Sequence, residues 1–252
     1  MSSWIKNIYE HDRLAISKSE SVTYSTLYKF GFNPDIGTDE ETIWGTGGNL
    51  NWSNDGRVYA VSSSTDDTFG GDGANTITVE GLDDDYNFKS STVNLSGQVQ
   101  ALVGTYGRVN RAYISLAGAN GTTSGTITLQ SSDAIKTYTT FDGNSNQTQM
   151  AVYTVPAGHT LYLDDINFTS ALSQANKFAT VSFVTRDFGS NVFRTRFTDV
   201  IQSSHLVTNL SYPLRLDEKT DMECRAFTNT TGNSIAASFQ GVLIKNDPTG
   251  TI

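Results

Sequence analysis

With a single cysteine, Cys224, the chain has no means of forming an intrachain disulfide or a cysteine-based zinc site. The setting of that cysteine, DMECRAF, alternates as a strand does and reads as a buried structural thiol rather than a nucleophile. No apolar run is long enough to span a bilayer, and the opening MSSWIKNIYEHDR lacks the apolar centre of a signal peptide. The expectation is a soluble protein made in the cytoplasm and not exported, with no membrane partner. The sequons at Asn94 and Asn167 then read as ordinary β-surface positions. A basic stripe is also missing. Lys and Arg number 17 against 26 Asp and Glu, a net charge of −9, whereas binding to nucleic acid needs clustered cations that release counterions. Only Arg186, Arg194 and Arg196 come close together, the last two on one face of a strand.

Catalytic signatures are equally sparse. Nucleophilic catalysis needs a Ser or Cys held by an oriented His, yet His11, His159 and His205 sit in no recognisable motif and GxSxG is absent. Two carboxylates across a cleft could hydrolyse a glycoside, but here the acids gather in turns. The strongest metal candidate is TDDTFGGDG, with Asp66, Asp67 and Asp72 among glycines. It departs from the spacing of an EF-hand, so a solvated hairpin loop is favoured over calcium. GLDDDYN, residues 81–87, reads as an acidic turn. The chain is therefore expected to be non-enzymatic, with no catalytic residue, no metal and no cofactor.

What is present is a β profile. Ser, Thr, Asn and Gly dominate, aromatics make up 11%, and no long run of strong helix formers accumulates. Short alternating segments recur between turn signals: RVYAVSSS, NTITVEGL, FKSSTVNL, RVNRAYISLAG and SGTITLQSS form a first group. In NTITVEGL, Ile77 and Val79 face one way and Thr76, Thr78 and Glu80 the other, the pattern of a half-buried strand. A second group runs from MAVYTVPAGHTLYLDDINFTS through FATVSFVTRDF, NVFRTRFTDVI and PLRLDEKTDMECRAFT to a closing strand at Ile235 to Ile244. Val155, Pro156, Ala157 and Gly158 mark a hairpin or tight connection, and EKTD a polar turn. Periodicity vanishes over FDGNSNQTQ, residues 141–149. The predicted architecture is all-β, an antiparallel sandwich or jelly roll in two packed regions: an N-terminal arm over 1–27, a first sandwich over 28–145 and a second, jelly-roll-like region over 146–252. In the arm, Trp4, Ile5, Ile8 and Tyr9 offer an apolar face too short to be stable alone, either ordering against a partner subunit or remaining a tail.

NPDIGTDEETIWGTGGNLNW, residues 33–52, concentrates four carboxylates and two tryptophans in twenty positions. Trp44 and Trp52, flanked by Gly and Asn, suit a sugar-binding platform, although burial against the β core is favoured. As an assembly and packing loop, the stretch would start its turn at Asn33 and Pro34. Thr38 with Asp39, Glu40 and Glu41 would cap one short helical turn, and Ile43 and Trp44 would anchor the loop in the core or in a neighbouring subunit.

Four stretches, YKFGFNPDIGTDEETIWGTGG, YGRVNRAYISLAGANGTTSGTITL, QMAVYTVPAGHTLYL and PLRLDEKTDMECRA, together resemble a structural protein family of tailed bacteriophages, the marine and cyanophage type. The resemblance covers about residues 28 to 245 and rests on the order of the segments. It implies a virion component at the capsid surface, as decoration or cement, or in the neck or tail, and it carries over no catalytic residue. Members often have shorter N-termini. The partners it implies are other copies of the chain, most simply a homotrimer, and the major capsid protein or other virion proteins. A host glycan is the partner under the alternative reading of a recognition module.

Overall fold

Alternation of branched or aromatic residues with small polar ones becomes strand along almost the whole chain. The computed structural model describes residues 23–53, 56–172, 176–202 and 205–246. The arm residues Trp4, Ile5, Ile8 and Tyr9 lie outside that set. Among the described residues there are sixteen strands and no helix. β1 (Tyr24–Ile36) and β2 (Glu41–Thr42) precede β3 (Gly56–Ser62), β4 (Ala74–Leu82), β5 (Phe88–Asn94), β6 (Ala101–Tyr106), β7 (Arg108–Ala117), β8 (Ile127–Gln130) and β9 (Thr137–Phe141). Then follow β10 (Val152–Thr154), β11 (His159–Ser170), β12 (Ala179–Arg186), β13 (Arg194–Ile201), β14 (His205–Leu216), β15 (Asp221–Thr228) and β16 (Asn233–Lys245).

These strands make four antiparallel sheets in two sandwiches. Sheet I, ordered β1-β16-β11-β14, faces sheet II, ordered β10-β15-β12-β13 with β2 also on β15. Their shared core includes Ile36, Ile43, Leu163, Phe168, Phe183, Cys224 and Phe239. Four pairings in this body, β1 with β16, β10 with β15, β11 with β14 and β12 with β13, are the rungs of a long hairpin wrapped around itself, and β11 with β16 and β12 with β15 join the rungs into sheets. That is the strand order of a jelly roll. Sheets III (β6-β3-β8-β9) and IV (β5-β4-β7) enclose a second core around Ile77, Val79, Tyr106, Ile127 and Phe141. This second sandwich is spliced between the first and second strands of the jelly roll.

That splice corrects the expected boundary at 27/28, which falls inside β1. Residues 28–36 pair with β16 instead of joining the first sandwich, because alternation marks a strand without naming its partner. Gly31 allows the close packing of β1, since a side chain there would run into the backbones of Ala151 and Ile43. The other expected boundary falls in the connection between β9 and β10. Residues 155–158 form a tight turn with Gly158 at φ 68°, but it carries the chain from sheet II to sheet I and so is not a hairpin. β4 is buried on both faces: Thr76 and Thr78 bond the hydroxyls of Ser115 and Thr92 at 2.8 and 2.7 Å, which closes the side expected to meet water.

β7 is the edge of sheet IV, and the jelly roll covers it. Ala112 and Thr148 exchange backbone and hydroxyl hydrogen bonds, the Ile114 N–H donates to the Asn146 carbonyl, and the Thr154 N–H donates to Asn110 Oδ1. Lys29, from β1, donates its ammonium to the Asn110 carbonyl. An edge that would otherwise pair with another chain is thereby satisfied within this one.

Burial, reinforced by Arg111 and opposed by Glu80, pushes the Lys29 amine down to about 7. An unfolded lysine titrates near ~10.4, so between about pH 7 and pH 10 the unfolded chain holds the extra proton and stability rises with pH. Above that range Tyr153, raised by burial, opposes the trend. Lys29→Met is expected to flatten the rise in unfolding free energy across this window relative to the parent chain, as read by urea titrations at pH 6, 8 and 9.5.

Candidate functional site

Residues 37–53 form a strap that joins sheet II through β2, sends Ile43 into the core and packs Trp44, Leu50 and Trp52 with Met150 and Val152. Glu41 holds both ends of its first loop, its carboxylate accepting from the backbone N–H groups of Gly37 and Gly48. Thr42 pairs in β2 with Arg225 and donates to Glu223 Oε2 at 2.6 Å. Thr38 to Glu41 therefore make a bend entering a strand, not a capped helical turn, because the Glu41 carboxylate is drawn across the loop. Pro34 is exposed on β1, where pairing with β16 shifts register, a position that suits a residue without an N–H. The Asp35 N–H donates to Asn33 Oδ1 at 2.9 Å, so the expected turn is a local kink inside a strand.

The structure places Ile43 and Trp44 inside the subunit and not on an outer surface. Ile43 is in the jelly-roll core, its N–H donating to the Cys224 carbonyl and its carbonyl accepting from Ala151. Trp44 is 1% exposed, packed with Met150, Val152, Leu50 and Trp52, and its indole Nε1 donates to the Gly48 carbonyl at 2.9 Å. Trp52 is half-buried and its ring is occupied: it stacks on Phe193 at 6.2 Å, with the guanidiniums of Arg108 and Arg186 at 5.3 and 5.4 Å from its centroid. The sugar platform considered for these two tryptophans is overturned by this packing.

Beneath Trp52 lies the cluster that the sequence did not reveal. Asp221, buried at the start of β15, accepts from Arg108 Nε at 2.7 Å and Nη2 at 3.0 Å, from Arg186 Nη2 at 2.6 Å, and from the Thr154 hydroxyl at 2.6 Å. Arg108 belongs to the inserted sandwich and Asp221 to the jelly roll, so this carboxylate joins the two bodies. Cations and rings alternate outward from it. Arg108 lies over Tyr86, Arg186 and Arg225 over Phe193, and Lys219 over Tyr86 and Phe188. The turn from β12 to β13 supplies both phenylalanines, so it clasps the junction from the far side. Each such contact contributes about 0.5–2 kcal/mol, more as it is desolvated. The cluster's chemistry is adhesive.

The remaining candidates stay apart. His159 opens β11 with Nδ1 on the Ala157 carbonyl, and its ring meets Phe88 edge-on. His205 opens β14 in sheet I, and His11 lies outside the described residues. Burial raises the Cys224 thiol. In the glycine-rich acidic loop Asp66 and Asp72 are exposed, but Asp67 is fully buried, contrary to the solvated loop expected. Its carboxylate accepts from the Ser62 hydroxyl and from the N–H groups of Ala74, Ser124 and Gly125 at 2.8, 2.8 and 2.9 Å, so it organises the loop itself. Among the described residues no three His, Cys, Asp or Glu side chains converge as a metal-holding group. The expected basic patch is offset by acids: Asp187 takes Arg194 and Arg196, and Asp221 takes Arg186. Among the described residues no helix is long and apolar enough to cross a membrane.

Asp221→Asn is expected to destabilise the chain by about 3–5 kcal/mol, the usual loss when a buried ion pair is broken on one side. It should also split the calorimetric unfolding into two transitions, whereas Arg194→Ala, at an exposed pair, should shift stability by less than about 1 kcal/mol. Trp44→Ala should lower the unfolding free energy by about 3–5 kcal/mol in denaturant titration and leave the oligomeric mass unchanged.

No protein-family model matches the chain, and no curated protein does. Among solved structures, chains from the infectious bursal disease virus Gt and Gx strains align over 90% of this chain and over 76% and 77% of theirs. Identity is 8% in both, with TM-scores of 0.18 and 0.20. A likeness that weak carries no argument, so the description of the fold rests on the strand order alone.

Proposed function

We propose that the chain is a non-enzymatic structural subunit of a bacteriophage virion, a capsid decoration or cement protein that assembles as a homotrimer. The observation that carries this reading is the jelly-roll strand order of sheets I and II, an architecture used by viral capsid domains among others. Architecture alone does not fix function, and the ordered sequence segments resembling tailed-phage structural proteins supply the second support. The internal bolting agrees with a part under mechanical stress: the inserted sandwich is held by a buried carboxylate shared between two arginines, not by a bare linker. Among the described residues β13, with Val200 outward, and β1 are sheet edges available for association with copies of the same chain.

Light scattering on the purified full chain should return three times the monomer mass. In purified virions, quantitative mass spectrometry should find the chain near stoichiometry with the major capsid protein, and electron cryomicroscopy should place it over the shell at three-fold positions. A few copies confined to the neck or tail would overturn the decoration role in favour of a tail-associated part.

A further inference from the structure

β1 is patterned against the usual rule. Its inward residues are Leu27, Lys29, Gly31 and Asn33, while its outward residues are Tyr24, Thr26, Tyr28, Phe30 and Phe32. Tyr28 is 62% and Phe32 37% exposed, and Tyr28 and Phe30 lie 6.1 Å apart. A solvated sheet face normally carries polar side chains, so a row of rings turned outward asks for a ligand.

Strand register says what surrounds the rings. Phe30 stands opposite Ser238 on β16, which stands opposite Asn167 on β11. Phe32 stands opposite Ala236, then Thr169, then His205 on β14. These two rungs run from an aromatic ring, across a small residue, to an amide or hydroxyl, whereas the rung of Tyr28 crosses Gln240 to Asp165, whose carboxylate accepts from the Gln240 amide. The small residues of β16 form the floor of a trough of about 570 Å³, with the rings as one wall and the hydrogen-bonding groups as the other. Gln149 also lines it. That volume lies within the range of small-ligand sites, which combine apolar walls with a few placed polar groups.

The lining contains no Asp, Glu, Lys or Arg in a chain of net charge −9. An ionic ligand would find only the His205 imidazole as a counter-charge, while a purely apolar one would leave Thr169, and the groups of Asn167 and Ser238 that do not bond each other, without partners. The ligand class with a flat C–H face for a ring, a rim of hydroxyls for amides and hydroxyls, and no charge is a neutral oligosaccharide. We propose that this outer trough of sheet I is a binding site for a neutral glycan, with Tyr28 and Phe32 stacking on sugar faces and Asn167 and Thr169 taking hydroxyls. The site stands on the geometry of sheet I and does not require the virion reading, which is judged by copy number and position on the particle.

The test uses the full-length chain on an array of neutral and acidic oligosaccharides, followed by titration calorimetry with the best binder. Binding to a neutral oligosaccharide is expected. Tyr28→Ala and Asn167→Ala should each weaken it by roughly tenfold or more, with Tm unchanged, because both side chains lie on the surface of the sheet. Tyr212→Ala, at the 88% exposed tip of the β14 bulge and away from the trough, should leave it intact. Binding only to acidic glycans, no binding to any, or binding that survives both trough substitutions would overturn the proposal. So would a drop in oligomeric mass in Tyr28→Ala without an effect on glycan, which would assign the rings to a second copy of the chain.

Discussion

The Asp221 carboxylate is the point on which the arrangement of the two sandwiches depends. It sits in a buried position where an unpaired charge would be untenable, and it is made tolerable by five donor contacts from three side chains on three different strands. Two of those side chains, Thr154 and Arg186, belong to the jelly roll, and the third, Arg108, comes from the insert. Neither body can leave without stranding a charge, so the junction behaves as part of the core even though its chemistry is polar. The cation–ring alternation around it follows from the same need. Once the guanidiniums are fixed by Asp221, the faces of Trp52, Tyr86 and Phe193 are the surfaces that can cover them without competing for their N–H groups.

The junction also explains why an insertion between the first and second strands leaves the jelly roll intact. An inserted domain brings new sheet edges, and β7 is one of them. Its backbone groups are taken up by Asn146 and Thr148, just before the chain re-enters the jelly roll, and by Lys29 of β1, while Thr154 bonds its Asn110 side chain. The strap over residues 37–53 does the corresponding work on the other body, packing Trp44, Leu50 and Trp52 with Met150 and Val152. Linker and strap are thus the means by which two sandwiches become one body.

The strands themselves were legible in the sequence wherever alternation was regular. β3, β4, β7, β12 and β16 fall where the period-two runs lie, and the second region supplies seven of the eight jelly-roll strands, β1 being the eighth. Partners were not legible. The sequence reading marks no strand over residues 24–36, ending an arm at 27 and starting a turn at Asn33, and no local pattern shows that residue 24 meets residue 244, so a reading that keeps domains contiguous misplaces β1. The site suffered from the same limit. Arg108 and Asp221 are 113 positions apart and lie in unremarkable strand contexts, so no local motif marks them. The acidic loop misled for the opposite reason: three aspartates among glycines suggest a solvated turn, yet Asp67 is the buried acceptor that shapes it. Burial against the core holds for Trp44, while Trp52 is half-buried and covered by a pair of arginines and by a phenylalanine from the β12–β13 turn far along the chain.

One conflict between local pattern and global fold remains, and it is informative because the rest of the chain shows so little of it. In most strands of the jelly roll the large side chains point inward and the small polar ones outward, as in β16, where Ile235, Phe239 and Leu243 are buried while Ser234, Ser238 and Gln240 are not. β1 inverts this, turning its rings to the outside and, Leu27 apart, a lysine, a glycine and an asparagine to the inside. The inner residues have structural reasons: Lys29 reaches the insert, Gly31 admits the backbones of Ala151 and Ile43, and Asn33 shapes the kink before β2. Nothing among the described contacts gives the outer rings a comparable reason, and natural sequences depart from local consistency chiefly where function demands it. The small residues opposite those rings, Ala236 and Ser238, are what turn the departure into a concave surface and not merely an exposed apolar one.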